Sequence, residues 1–147
     1  METLQATLNN QQDTLNELEV VLAEEIKQLS YAQVNAVALQ QLSDSKSRLL
    51  STLAWHDEQR KQWEEHLQLF APYAHQATLA ASWDTLLQSA QKASEMNLQT
   101  SHLLNMHMQK VQSLSQALNK ATASPGLYNA GGQSENNGKA RAYNITI

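Results

Sequence analysis

The chain has 147 residues, 41% of them hydrophobic but only 5% aromatic, with one phenylalanine and no cysteine. That composition excludes a disulfide framework and thiol chemistry, and it suits long Leu and Ala stripes better than a thick globular core. The net charge of −4, with Lys and Arg scattered, argues against nucleic acid as the main ligand. The first residues, Met1 to Gln5, lack the basic-then-apolar pattern of a secretory signal, and no apolar run approaches the roughly 18 residues of a membrane span. The expected location is therefore the cytoplasm.

The first element is a helix. Leu8, Leu15, Leu22 and Leu29 repeat every seven residues, and Leu4 and Leu18 fall at the alternating position of an a/d seam. Gln11 and Glu25 interrupt that second row, while Val21 and Ile26 widen the stripe. The stretch from Ser30 to Asn35 contains neither proline nor glycine, and only Asn35, a good N-cap residue, signals where a second helix begins.

That second helix carries a seam of Leu39, Leu42, Leu49, Leu53, Trp63, Leu67 and Phe70. Lys46, His56 and Arg60 occupy core-like phases within it; long basic side chains are expected to lay their stems on the seam and keep their charges in water. Pro72 stops the pattern, since proline lacks a backbone donor and restricts the residue before it. A third seam runs Leu79, Trp83, Leu86, Ala90, Ala93, Leu104, Val111, Leu114 and Leu118, ending near Ala121 before Ser124-Pro125-Gly126. At about 1.5 Å per residue this helix spans about 65 Å, longer than a compact domain of this mass requires.

These elements predict an all-α protein: an elongated three-helix antiparallel coiled-coil bundle with connections near 30–38 and 70–76, a long third helix and a flexible C-terminal tail. The expected division is a coiled-coil domain over 1–123 and a tail over 124–147. All four glycines lie at Gly126 or later. If the third helix is longest, its end lacks intramolecular cover and offers a place to bind a partner.

Catalytic chemistry is scarce. No glycine-rich phosphate loop occurs within the helices, and the five histidines form no His-Glu-x-x-His pattern. His102 and His107, five apart, diverge around a helix and make poor joint metal ligands. His56 with Lys61 nearby invites comparison with phosphotransfer helices, but those place a glycine soon after the histidine, and none follows here for about seventy residues. Asn144-Ile145-Thr146 matches a glycosylation acceptor without the secretory signal that would make it relevant.

The stretch from Leu98 to Leu118 is more informative, because Lys110 is its only charge. Leu104, Val111, Leu114 and Leu118 belong to the seam; Leu103, Met106 and Met108 spread beyond it. Unbranched, polarisable Met side chains repack around different partners. Together these seven residues form a candidate apolar face for an amphipathic partner helix.

The chain resembles the FlgN-type flagellar export chaperones. The resemblance rests on the Leu-heptad first helix, on Lys46-Ser47-Arg48-Leu49-Leu50-Ser51-Thr52-Leu53, similar to the family's Lys-x-x-Leu-Leu-x-x-Leu segment, and on the long third helix. It rests most specifically on the tail, where Leu127-Tyr128-Asn129-Ala130-Gly131-Gly132-Gln133 is similar to the family's Leu-Tyr-Gly-x-x-Gly-Gln motif and Tyr143-Asn144-Ile145-Thr146-Ile147 to its Ile-x-Ile terminus. Asn129 departs from the family's usual glycine, yet asparagine tolerates left-handed geometry.

The resemblance implies a chaperone, not an enzyme, with no cofactor. Its implied clients are the hook–filament junction proteins FlgK and FlgL, whose C-terminal amphipathic helix it would hold, and its implied second partner is the export gate protein FlhA. Leu103, Leu104, Met106, Met108, Val111, Leu114 and Leu118 are then the candidate client-binding residues, and Tyr128 with Leu127 the candidate gate-docking residues. Two alternatives share the helical pattern: a chaperone for another flagellar client such as the filament cap, and a structural coiled-coil adaptor.

Overall fold

The computed structural model describes residues 3–122 and contains three helices: α1 (Leu4–Leu29), α2 (Ala36–Leu67) and α3 (Ala77–Thr122). Thr3 caps α1 by accepting the Ala6 amide at 3.1 Å, and Asn35 caps α2 by accepting the Ala38 amide at 3.1 Å, the role expected of it. The first connection, 30–35, falls within the expected 30–38; the second, 68–76, begins two residues before the expected 70. α3 has 46 residues, about 69 Å at 1.5 Å per residue.

α1 is the central helix, with α2 packed antiparallel on one flank and α3 parallel on the other. Leu4, Leu8, Leu15, Leu18, Leu22 and Leu29 are all buried. Each is worth about 1.5–3 kcal/mol of burial. Side chains from α3 repeat against α1 with one spacing: Gln5 Nε2 donates to Ser82 Oγ at 2.9 Å and Gln12 Nε2 to Ser89 Oγ at 2.8 Å, both 77 positions apart. That offset is a whole number of heptads, so the two parallel helices keep one register along their shared length.

The interruptions in the seams are part of the core. Gln11 is buried and donates to Asp57 Oδ1 at 3.2 Å; Glu25 is fully buried and pairs with Lys46 Nζ at 3.2 Å. Lys46 also donates to Asn97 Oδ1 at 3.0 Å, so one polar layer crosses all three helices. The expectation that Lys46 and Arg60 keep their charges in water does not hold. Both are buried, and their charges are met inside the protein by Glu25 for Lys46 and by Asp57 and Glu64 for Arg60, because those carboxylates stand at facing positions within reach. Burial pushes the Glu25 carboxyl up from its ordinary value and the Lys46 ammonium down, against the pull of each on the other.

The turn between α2 and α3 is built without glycine. Gln68 (φ 53°) and Tyr73 (φ 60°) take left-handed backbone, which costs roughly 1–3 kcal/mol per residue unless the surroundings enforce it. The Gln68 backbone amide donates to the Glu64 backbone carbonyl, and at Tyr73 the Glu64 carboxylate holds the turn. Its Oε2 accepts the Ala71 amide at 2.7 Å and the Tyr73 hydroxyl at 2.8 Å, while its Oε1 accepts from Arg60 at 2.8 Å. Tyr73 is buried edge-on to Trp83, and the Arg60 guanidinium lies 4.8 Å from the Trp83 ring centre. The second seam accordingly ends earlier than its leucine spacing suggests. Leu67 and Phe70 are exposed, because the left-handed Gln68 cap swings the chain away and Tyr73 fills the end of the core. Ala90 of the third seam is exposed as well, and buried Thr100 takes a core position that the apolar pattern does not mark.

Candidate functional site

The α1–α3 register fixes where cover for α3 ends. His107 Nε2 donates to the backbone carbonyl of Leu29, one of the last carbonyls of α1, which has no partner within its own helix. Fifteen further residues, from Met108 to Thr122, continue α3 for about 22 Å with no helix of the described residues alongside. Val111 (39% exposed), Leu114 (55%) and Leu118 (61%) lie there. Three large apolar side chains on one helical stripe at such exposure lack the burial their kind normally finds.

The overhang does not stand alone. The connection between α1 and α2 turns beside it, and the two enclose a cleft of about 580 Å³. One wall is Ala32, Gln33, Val34 and Ala36; the other is Leu104, His107, Met108, Lys110, Val111 and Leu114. The His107 ring closes the base, held by the end of α1. The lining is mainly apolar, with Lys110 its single Lys or Arg and no carboxylate.

Of the candidate client-binding residues, the structure brings Leu104, Met108, Val111 and Leu114 into this cleft, and Leu118 continues their stripe one turn beyond. Leu103 is half-buried outside the cleft, and Met106 is exposed about 200° around the helix from Leu104. Leu127 and Tyr128, the candidate gate-docking pair, lie outside the described residues. Residue spacing on α3 could not identify the opposite wall. The signal for it was the composition of Tyr31-Ala32-Gln33-Val34-Asn35, an uncharged, partly apolar connection where polar turn residues are usual.

A second, smaller trough of about 200 Å³ runs between α2 and α3 over Leu15, Leu18 and Leu22, with Lys46 and Asn97 at its side. Among the described residues no group of three or more His, Asp or Glu is placed to hold a metal ion, and no helix is long and apolar enough to cross a membrane.

Comparison with known proteins gives one family. The family model described as FlgN protein matches residues 1–136. A flagella synthesis protein FlgN of Yersinia enterocolitica is 32% identical over 109 residues, covering 74% of each chain. That of Salmonella typhimurium is 30% identical over 133 residues, covering 90% of this chain and 91% of its own, and that of Escherichia coli is 28% identical over the same length and shares. No solved structure matches the chain.

Proposed function

The chain belongs to the FlgN family of flagellar chaperones, proteins that are not enzymes, and from that premise we propose that its clients are the hook–filament junction proteins FlgK and FlgL. It holds the C-terminal amphipathic helix of a client in the cytoplasm, prevents premature association, and presents the complex to the export gate protein FlhA. The observation that carries this reading is the uncovered stripe of Val111, Leu114 and Leu118 running out of the cleft between α3 and the α1–α2 connection. An amphipathic client helix left bare is an aggregation hazard, and laying its apolar face on this stripe removes both exposed surfaces from water.

The division of labour follows from chain position. The client surface is the C-terminal third of α3, whereas gate docking is assigned to Leu127 and Tyr128, within the Leu-Tyr-Asn-Ala-Gly-Gly-Gln segment that resembles the family motif. Separate sites let cargo stay bound while the carrier docks.

The test is the pair Val111→Asp with Leu114→Asp. Both side chains are solvent-accessible and neither is in the core cluster, so the helices should survive unchanged by circular dichroism. Capture of C-terminal FlgK and FlgL fragments should be lost. Retained capture removes this surface from the proposal.

A further inference from the structure

Charge along the chain is segregated in a way that bears on what the cleft accepts. Residues 1–95 carry thirteen carboxylates against six Lys or Arg, whereas 96–122 carry Lys110 and Lys120 and no carboxylate at all. The apolar stripe of the overhang therefore lies on a helical segment without a carboxylate. Two other exposed apolar side chains have an acidic neighbour in sequence: Glu58 follows Trp55 by three positions and Glu65 precedes Leu67 by two.

Within the cleft the two groups able to carry positive charge are not equivalent. The His107 ring is committed to the Leu29 carbonyl. Lys110 lines the cleft, makes no ion pair among the described residues, and stands beside the apolar stripe instead of within it, about 100° around from Val111. A helix seated on Leu104, Met108, Val111 and Leu114 would bring the flank of its own apolar stripe against the Lys110 ammonium.

Taking the cleft as the client site, on which this step rests, we infer that it selects amphipathic helices whose apolar stripe is edged by Asp or Glu, with Lys110 as the specificity-determining residue. Apolar contact supplies affinity without distinguishing one amphipathic helix from another. The charged rim supplies the distinction: an acid-edged helix is attracted to Lys110 and repelled by Glu58 and Glu65 near Trp55 and Leu67 on α2, where it could otherwise dock. A lysine-edged helix meets the reverse pattern. Lys120, ten residues further along, projects away from the stripe and takes no part.

The experiment uses the full-length chain, its Lys110→Glu variant and its Val111→Asp/Leu114→Asp variant, titrated by fluorescence anisotropy against two synthetic helical peptides with the same apolar stripe, one edged with Glu and one with Lys. C-terminal FlgK and FlgL fragments are measured alongside. The Glu-edged peptide should bind the unaltered chain about fivefold more tightly, the size expected of a rim pair plus the matching repulsion, and the gap should narrow in high salt. Lys110→Glu should invert the order, and the double Asp variant should bind neither peptide.

Equal binding of the two peptides, an order unchanged by Lys110→Glu, or no binding of either overturns the inference. So does concentration-dependent dimerisation of the chain that excludes the peptides, since a second copy would then be the occupant. If FlgK and FlgL fragments bind the Lys110→Glu variant undiminished but are lost from the double Asp variant, charge selection fails and the chaperone reading stands. If they bind the double Asp variant as well, both fail.

Discussion

Replacing Lys46 by methionine should destabilise the bundle strongly, and replacing its partner at the same time should reverse the loss. Lys46 Nζ lies 3.2 and 3.3 Å from the two Glu25 oxygens, and Glu25 is fully buried. Methionine keeps most of the lysine stem, so the main effect of Lys46→Met is an unpaired carboxylate in the core. That carboxylate relaxes by taking a proton, and the cost at pH 7 is bounded by the distance from its ordinary value of 4.5, on the order of 3 kcal/mol at about 1.4 kcal/mol per pH unit. This agrees with the roughly 3–5 kcal/mol typical of breaking a buried pair, and it is a large share of a domain's roughly 5–15 kcal/mol. In urea, at a slope of about 1.5–2 kcal/mol per molar, the midpoint followed by far-ultraviolet circular dichroism should fall by about 2 M.

The sign with pH is fixed by the direction of the shift. A carboxyl whose folded value is raised contributes stability below its unfolded value and loses it as pH rises, so the deficit of Lys46→Met should shrink from pH 7 towards pH 4.5. In the unaltered protein burial outweighs mutual attraction for both partners, raising Glu25 and lowering Lys46. The double change Glu25→Leu with Lys46→Met should therefore be neutral or stabilising by about 1–4 kcal/mol. A double variant as unstable as the single one would refute this account and mean that the hydrogen bonding of the pair exceeds its cost of burial.

The phenol of Tyr73 is pushed up to about 12, first by burial and then by its bond to Glu64. Because the folded value is raised, its contribution is present below about pH 10 and lost towards about 12; ultraviolet titration should show a late ionising step that Tyr73→Phe removes, and a single step shared by all tyrosines would contradict it. The Asn35 cap should be worth about 1 kcal/mol, so Asn35→Ala should lower Tm by about 4 °C, and no change would mean that another group replaces it. Tyr128→Ala should leave affinity for FlgK and FlgL fragments unchanged by calorimetry while weakening association with the cytosolic part of FlhA; equal losses would show that the two sites are not separate.

The three helices were legible because leucines at heptad spacing are direct evidence of a buried stripe, and Asn35 and Pro72 mark boundaries by chemistry that depends on neighbouring residues alone. Polar core members were not. Nothing local distinguishes Lys46 buried against Glu25 from a lysine lying along a seam with its charge in water; the difference lies in a carboxylate 21 positions away. The glycine-free turn was similarly opaque, since left-handed Tyr73 is held by a Glu64 carboxylate that also grips the Ala71 amide, a contact no local pattern announces. At the candidate site, Leu104, Val111, Leu114 and Leu118 could be picked out as apolar, but the same seam that continues α3 also buries its earlier half. Which part is free depends on where α1 stops.

That stopping point is what turns a coiled coil into a binding surface. α1 and α3 run parallel at a constant offset of 77, so α1's last turn at Leu29 falls opposite Asn105 to His107, and the His107 bond to the Leu29 carbonyl marks the place. Before it, Leu86, Ala93 and Thr100 of the α3 seam are buried; after it, Val111, Leu114 and Leu118 keep the same heptad phase with no residue of α1 opposite and stay exposed. A helix entering there encounters a pattern already suited to a coiled-coil neighbour, with the α1–α2 connection as a second wall. The surface is thus a continuation of the intramolecular seam, and its position is encoded in the difference in length between two helices. Extending α1 by two heptads at its C-terminal end would cover Val111, Leu114 and Leu118 and should abolish client capture while raising thermal stability. Undiminished capture by such a lengthened chain would mean that the client docks on another face of α3.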